Sequence, residues 1–310
     1  MEYFGLDYFV TSHQRIYLPY LVSAFLIAYI YVRLYPRQRR KLFSKQVWWH
    51  DSAKLDYQYF VLVSLIKAFV IMPLILSSKE VSLWLTLGLQ SSLGYMEAVT
   101  WSKSSVVLFY TIALFVAGDL TRYWLHRLLH TVPVLWEIHK VHHSAEALNP
   151  LTFYRVHPLE NILFGLRFAL SAGIVTGLFI YLFGAQIGLV QIMGANLFVF
   201  LFGMAGANLR HSHIPLRYGN LLEHLFISPY QHQIHHSVEL SHKNFGGVLA
   251  LWDWMFNTLH IEKVRELEFG LKNRAGHHTL GSMLLSPFVQ IAKKWNLRSI
   301  QSAPGAVKQN

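Results

Sequence analysis

Apolar residues along this chain gather into long blocks separated by short polar stretches, rather than alternating or recurring as a narrow stripe. Crossing a bilayer as a helix takes about 20 mainly apolar residues. Five blocks meet that length, over roughly 17–34, 57–77, 104–125, 162–184 and 187–209. A sixth, Val81 to Met96, is apolar but short and is interrupted by Gly88, Gly94 and the serines Ser82, Ser91 and Ser92. It reads as an interfacial or re-entrant segment. Glu2, Asp7 and Arg15 precede the first block and no small-residue cleavage site follows it, so no secretory signal is read there. The pattern predicts an all-α, polytopic membrane protein with about five spanning helices. Lys67 falls inside the second block, which marks either a functional charge or a shifted or water-facing span. Gly173-Ile-Val-Thr-Gly177 has the small-xxx-small spacing of a close helix contact, expected within the chain before a dimer.

Composition agrees. Of 310 residues, 53% are hydrophobic and only 14% charged, against about 25% in soluble proteins, and mean hydropathy is +0.32. The absence of cysteine rules out disulfides, thiolate metal sites and iron–sulfur clusters. A net charge of +11 suggests nucleic acid, but so apolar a chain does not fit that partner. The charge reads better as topology. The segment from Arg33 to Lys54, which includes Arg37, Arg39, Arg40 and Lys41, is the basic loop that the positive-inside rule places in the cytoplasm. The N-terminus and residues 78–103 then lie outside, and residues 126–161 and all beyond 210 lie inside. This arrangement puts 21 of the 27 Lys and Arg residues on the cytoplasmic side. The tail from about Ser299, with Pro304 and Gly305, reads as disordered.

The 18 histidines are not scattered. His126 and His130 are four apart, and residues so spaced share a helix face. His139, His142 and His143 form an H-x-x-H-H motif, and His232, His235 and His236 repeat it, each followed by serine (Ser144, Ser237). Chance predicts about 0.06 such motifs in a chain of this histidine content. On a helix the last two histidines of the motif diverge by about 100°, so one helix can serve two neighbouring metals. The predicted topology delivers all three clusters to the same side of the membrane. Imidazole-rich sites suit Zn, Cu, Fe or Ni, and eight imidazoles shared by two metals leave positions open for water or oxygen.

The motifs Asp119-Leu-Thr-Arg-Tyr-Trp-Leu-His126-Arg-Leu-Leu-His130, Leu135-Trp136-Glu137-Ile-His139-Lys-Val-His142-His143-Ser144, His157-Pro158-Leu159-Glu160, His211-Ser212-His213-Ile214, Pro229-Tyr-Gln-His232-Gln-Ile-His235-His236-Ser237 and Trp252-Asp253-Trp-Met-Phe256-Asn257-Thr258 resemble the fatty acid hydroxylase/sterol desaturase superfamily. The resemblance covers about 105–260, half the chain. It implies a membrane enzyme with a non-haem di-iron centre that uses O2 and two electrons on a lipid. It also implies that the eight motif histidines are iron ligands and His211 a ninth. The sequence departs from the family at His213, where Asn is common, and at Asn257, where Gly is common; His213 is therefore the alternative to His211. Asp119, two turns before His126, is a candidate to orient a ligand imidazole, or else a partner for Arg122. His157 is a candidate supporting or substrate-side group, or else a solvated turn histidine. Glu137 and Asp253 are weaker candidates of the same kind as Asp119. His224, His242, His260, His277 and His278 have no motif support.

The expectation is thus a lipid hydroxylase with a cytoplasmic helical cap holding two Fe ions, for which Zn substitutes readily in purified protein. Residues 1–104 form an N-terminal membrane region, 105–260 the catalytic domain and 261–310 a cytoplasmic extension. The chain has no haem-attachment Cys pattern and no dinucleotide fingerprint, so electrons come from an external donor that is ferredoxin-, rubredoxin- or cytochrome b5-like. A desaturase on the same scaffold is the nearest alternative. A membrane metal transporter or metal-binding protein would place histidines or carboxylates at the midplane, and a zinc hydrolase would need only three ligands.

Overall fold

The computed structural model describes residues 6–35, 43–184, 187–188, 190–192, 195–272 and 278–301; the basic run Arg37–Lys41, His277 and the tail beyond Gln301 lie outside them. The regular structure of the described chain is helical apart from a two-residue antiparallel ladder, β1 (Gln191–Ile192) with β2 (Ala195–Asn196), and two isolated bridges, Phe226 with Leu249 and Ser237 with Phe269. The helices are α1 (Leu18–Leu34), α2 (Lys45–Trp48), α3 (Asp51–Ile66), α4 (Ser78–Leu93), α5 (Lys103–Thr131), α6 (Pro133–His143), α7 (Pro158–Phe183), α8 (Leu197–Met204), α9 (Pro229–His236), α10 (Leu251–Met255) and α11 (Leu280–Gln301).

Among the described residues two helices, α5 and α7, are long and apolar enough to cross a membrane. At 1.5 Å per residue they measure about 43 and 39 Å. The side chain of Ser102 caps α5 by accepting from the Ser105 N–H, and His157 with Pro158 opens α7. They run antiparallel, joined by Tyr110 and Thr176 at 2.9 Å. Nearer their middle, Arg167 Nη1 donates to the Gly118 carbonyl at 2.7 Å. Their outward residues are apolar and exposed, among them Phe109 and Phe168, as a lipid-facing surface requires.

Most of the Val81–Met96 stretch, expected as an interfacial or re-entrant segment, is helical. As α4, opened by a Ser77/Glu80 capping box, it lies along α7. A Cβ on Gly173 would fall 2.4 Å from Val81 Cβ, and one on Gly177 would fall 2.9 Å from the Ser82 carbonyl oxygen. The small-residue motif therefore serves a contact within the chain. The block expected as a second span behaves differently. Leu55, Tyr59 and Val63 of α3 pack against Val141 of α6 and Met283 of α11. The helix continues through a π-helical stretch, Lys67–Ile71, where Lys67 Nζ sits 5.3 Å over the ring of Tyr8. In the block expected as a fifth span, the helix is only the eight residues of α8, about 12 Å long. The chain nevertheless returns from the far end of α7 to the histidine end of α5, passing the Asn196 side chain bonded to the Thr111 carbonyl on the way.

The N-terminal segment, expected outside, packs against residues of the 126–161 segment, expected inside. Tyr8 stacks on Tyr154 at 5.4 Å, and the guanidinium of Arg15 lies 5.4 Å over Phe153. The N-terminal segment thus packs at the histidine end of α5 and α7. The cause is the packing of α1, whose Ala24, Ala28 and Val32 bury against Leu209 and Ile214 instead of running the length of α5.

Candidate metal centre

Helices α5, α6 and α9 and the 3-10 turn Ala207–His211 bring nine histidines together at one end of the bundle. They form two groups: His126, His130, His139, His143 and His235; and His142, His211, His232 and His236. Within each group one ring nitrogen per residue lies within 4.8 Å of the others. The rule behind the grouping is helical. In each H-x-x-H-H motif the i,i+4 pair stays together (His139 with His143, His232 with His236), while the i+3 histidine turns away into the other group. The two motifs therefore interlock, and His143 stacks on His236 across the groups at 4.5 Å.

Hydrogen bonds at the far side of the rings set their orientation. Nδ1 of His126 donates to the Phe245 carbonyl at 2.8 Å, and Nδ1 of His235 to the Lys243 carbonyl at 2.8 Å. Nδ1 of His139 meets Glu160 Oε1 at 2.9 Å, with both side chains buried. With Nδ1 so engaged, Nε2 is the unprotonated nitrogen and its lone pair faces the group interior. The Nε2 atoms of His130, His139, His143 and His235 are buried without a hydrogen-bond partner. In the second group His211 Nε2 lies 3.0 Å from His236 Nε2 and 3.2 Å from His232 Nε2. Two nitrogens each about 2.1 Å from a shared metal are separated by roughly 3.0–3.4 Å at 90–109°. Orphaned buried nitrogens at ligand spacing fit a pair of metal ions. Burial, reinforced by neighbouring imidazoles, keeps His142, His143, His232 and His236 neutral well below their usual range. Burial does the same for His211, helped by Arg210, and brings His235 down to about 3. Neutral imidazole is the form that binds metal.

Asp119 does not touch an imidazole. It accepts from the Val248 N–H at 2.7 Å, the Leu249 N–H at 2.9 Å and Trp252 Nε1 at 3.0 Å. Asp253 accepts from the Phe245 and Gly246 N–H groups at 2.8 and 2.7 Å, and burial raises its pKa to about 6. Together the two carboxylates hold the loop whose Phe245 carbonyl orients His126. That loop can approach because Gly246 and Gly247 lack side chains: a Cβ on Gly247 would lie 2.6 Å from Asp119 Oδ1. His157 caps α7 through Nδ1 and bonds the Leu284 carbonyl through Nε2 at 3.1 Å. Glu137 pairs with Lys140 and Lys294. His213 stands outside both groups with its ring against Trp48. His260 lies by Glu262 and His224 bonds the Asn220 carbonyl. Glu160, Phe245 and Lys243 were not singled out by their sequence. Glu160 alone left a signal, a carboxylate in the first turn of an apolar helix.

A membrane-type helical bundle with a buried, imidazole-only double site defines a class of metalloprotein. Comparison with known proteins narrows it. Residues 111–258, just under half of the chain, match the fatty acid hydroxylase family model. The chain is 28% identical over 197 residues to the ornithine lipid hydroxylase OlsE of Rhizobium tropici, covering 63% of this chain and 55% of that one. It is 28% identical over 159 residues to human alkylglycerol monooxygenase, covering 51% of this chain and 32% of that one. With a very-long-chain aldehyde decarbonylase of Oryza sativa subsp. japonica it shares 29% identity over 227 residues, 71% of this chain and 76% of that one. The chain thus spans about half the length of the first relative and a third of the second. No solved structure matches.

Proposed function

We propose that the protein is an O2-dependent membrane hydroxylase that oxidises a C–H bond of a lipid. The carrying observation is the pair of interlocked imidazole groups with inward, unpartnered ring nitrogens. In this reading His126, His130, His139, His143 and His235 hold one iron, and His142, His211, His232 and His236 the other. Such a centre, when loaded, supplies the use of dioxygen and two electrons on an unactivated C–H bond. The chain's own residues do the rest. Glu160 and the carbonyls of Phe245 and Lys243 fix imidazole tautomer and direction, and the burial of eight of the nine rings, all but the half-buried His130, limits water at the centre.

Residues 105–260 are proposed as the catalytic domain, consistent with the bonds from Asp119 and Tyr123 on α5 to Trp252 and Thr258. The histidine end is proposed to face the cytoplasm, where the basic segments fall, with the N-terminal segment on that same side. Electrons come from a separate donor. A surface cleft lined by Arg127, His130, Trp136, His242 and Phe245 opens onto the first group, so a donor seated there would have the centre within reach.

The test compares lipid extracts of host cells making the wild type with those making His142→Ala, alongside iron analysis of both proteins. Wild-type cells are expected to accumulate one lipid class carrying an added oxygen atom, and about two irons per chain; the variant is expected to lose the product. Loss of two hydrogens in place of oxygen addition would make the protein a desaturase. No oxidised lipid from iron-loaded protein with a competent donor would refute the oxygenase reading.

A further inference from the structure

Beside the histidine centre lies a second cluster, of arginines. Arg122 is four residues before His126 on α5, one turn from it on the same face. Arg210 precedes His211 in the chain and is 3% exposed. Arg15 lies 5.4 Å over Phe153, whose ring is 5.9 Å from that of His211. The charges of Arg15 and Arg122 both act on Arg210 and on His211. A fourth cation, Arg167, is near Arg122 but donates to the Gly118 carbonyl and to Thr121 Oγ1.

The carboxylates that face this cluster are Asp119 and Glu160. Asp119 is occupied by two backbone N–H groups and an indole, and Glu160 holds His139. Among the described residues none of Arg15, Arg122 and Arg210 makes an ion pair, and the guanidinium groups of Arg15 and Arg122 make no hydrogen bond. Their contacts are with ring faces, Arg15 on Phe153 and Arg122 on Phe164. Arg210 donates to the Gly247 carbonyl, but its Nε is buried without a partner. Three guanidinium groups facing two carboxylates leave an excess of positive charge, with Arg210 buried and Arg15 and Arg122 half-buried, and such an excess is costly. A guanidinium also matches the oxygens of a carboxylate or phosphate in both charge and geometry.

We propose that Arg15, Arg122 and Arg210 form a binding site for an anionic group, a carboxylate or phosphate, supplied by the headgroup of the lipid substrate. That the lipid is a substrate rests on the hydroxylase reading; the anion site does not. The position of the cluster, one helical turn from His126 and against His211, seats the polar end of the lipid next to the centre. Oxidation is then directed to a carbon near the headgroup rather than near the end of the tail.

The test measures binding of radiolabelled lipids to the full chain in neutral detergent. The probes are oleate against oleyl alcohol, dioleoyl phosphatidate against dioleoylglycerol, and inorganic phosphate as competitor. Each anionic lipid is expected to bind about tenfold or more tightly than its neutral counterpart. Arg15→Gln and Arg122→Gln, which remove guanidinium groups holding no other polar group, are expected to erase most of that preference. Arg15→Lys, which keeps the charge, is expected to retain part of it. Inorganic phosphate that binds alone and displaces nothing but itself, with no preference among the lipids, would assign the cluster to a free anion and overturn the headgroup. Equal affinity for charged and neutral lipids with no phosphate binding would overturn the site altogether, as would a preference that survives both glutamine variants. Charge preference without any oxidised product would sink the hydroxylase reading and leave the anion site standing.

Discussion

Glu160 is 1% exposed in the first turn of an apolar helix, where an unpaired carboxylate would be costly; its bond to His139 offsets that cost and sets the imidazole's direction. Glu160→Gln keeps an acceptor of the same shape and removes the charge. Iron affinity is expected to fall about 10- to 100-fold in chelator competition with helix content unchanged; unchanged affinity would show that Glu160 only fills space. The choice between His211 and His213 is also made at this scale. His211 ends a 3-10 turn pointing into the second group, and the extended backbone of Ser212 (φ −154°, ψ 172°) turns His213 away to Trp48. His211 was favoured by its place in the motif, and His213, two residues on, was the alternative. Asp119 was legible as a carboxylate that supports the site, but its partners were not, because they lie some 130 residues away in a glycine loop that no periodicity announces.

At the level of elements, the contact of α4 with α7 is the clearest case of a motif whose role was legible in the sequence while its partner was not. The glycines at 173 and 177 were readable as a close packing face; the helix that uses it was read as interfacial because Gly88 and the serines weakened its apolar pattern. Gly173→Ala is expected to lower stability by about 1–3 kcal/mol, since its Cβ meets Val81 and the Ser78 carbonyl at 2.9 Å or less. Gly88→Ala on the opposing helix meets nothing within 4 Å and is expected to be neutral or stabilising by up to about 1 kcal/mol. Thermal unfolding in detergent checks the pair, and equal effects would refute the packing account. For α3, apolar content alone suggested a span. Hydropathy does not distinguish burial in lipid from burial in protein, and α3 lies against α6 and α11.

For the whole molecule, the lack of cysteine permits a direct test of the arrangement by labelling single cysteines from either side of the membrane. Val10, 75% exposed, and Ser241, at the cleft beside the histidines, are expected to label from one face; Tyr95, 89% exposed at the far end of α4 and α7, from the other. Labelling of Val10→Cys together with Tyr95→Cys, and opposite to Ser241→Cys, would restore the N-terminus to the far side.

The sequence by itself determined the apolar blocks, the helical spacing of the eight motif histidines and the imidazole-only chemistry, because each is a local property: residues three and four apart on a helix meet whatever the rest of the chain does. Only the tertiary structure decided how the nine histidines divide into two groups, which carbonyls and carboxylate aim their rings, that the N-terminal segment lies beside them, and that three arginines converge next to His211. Those are contacts between distant segments, set by how helices pack, and packing depends on shape at both surfaces, which no single stretch of sequence carries.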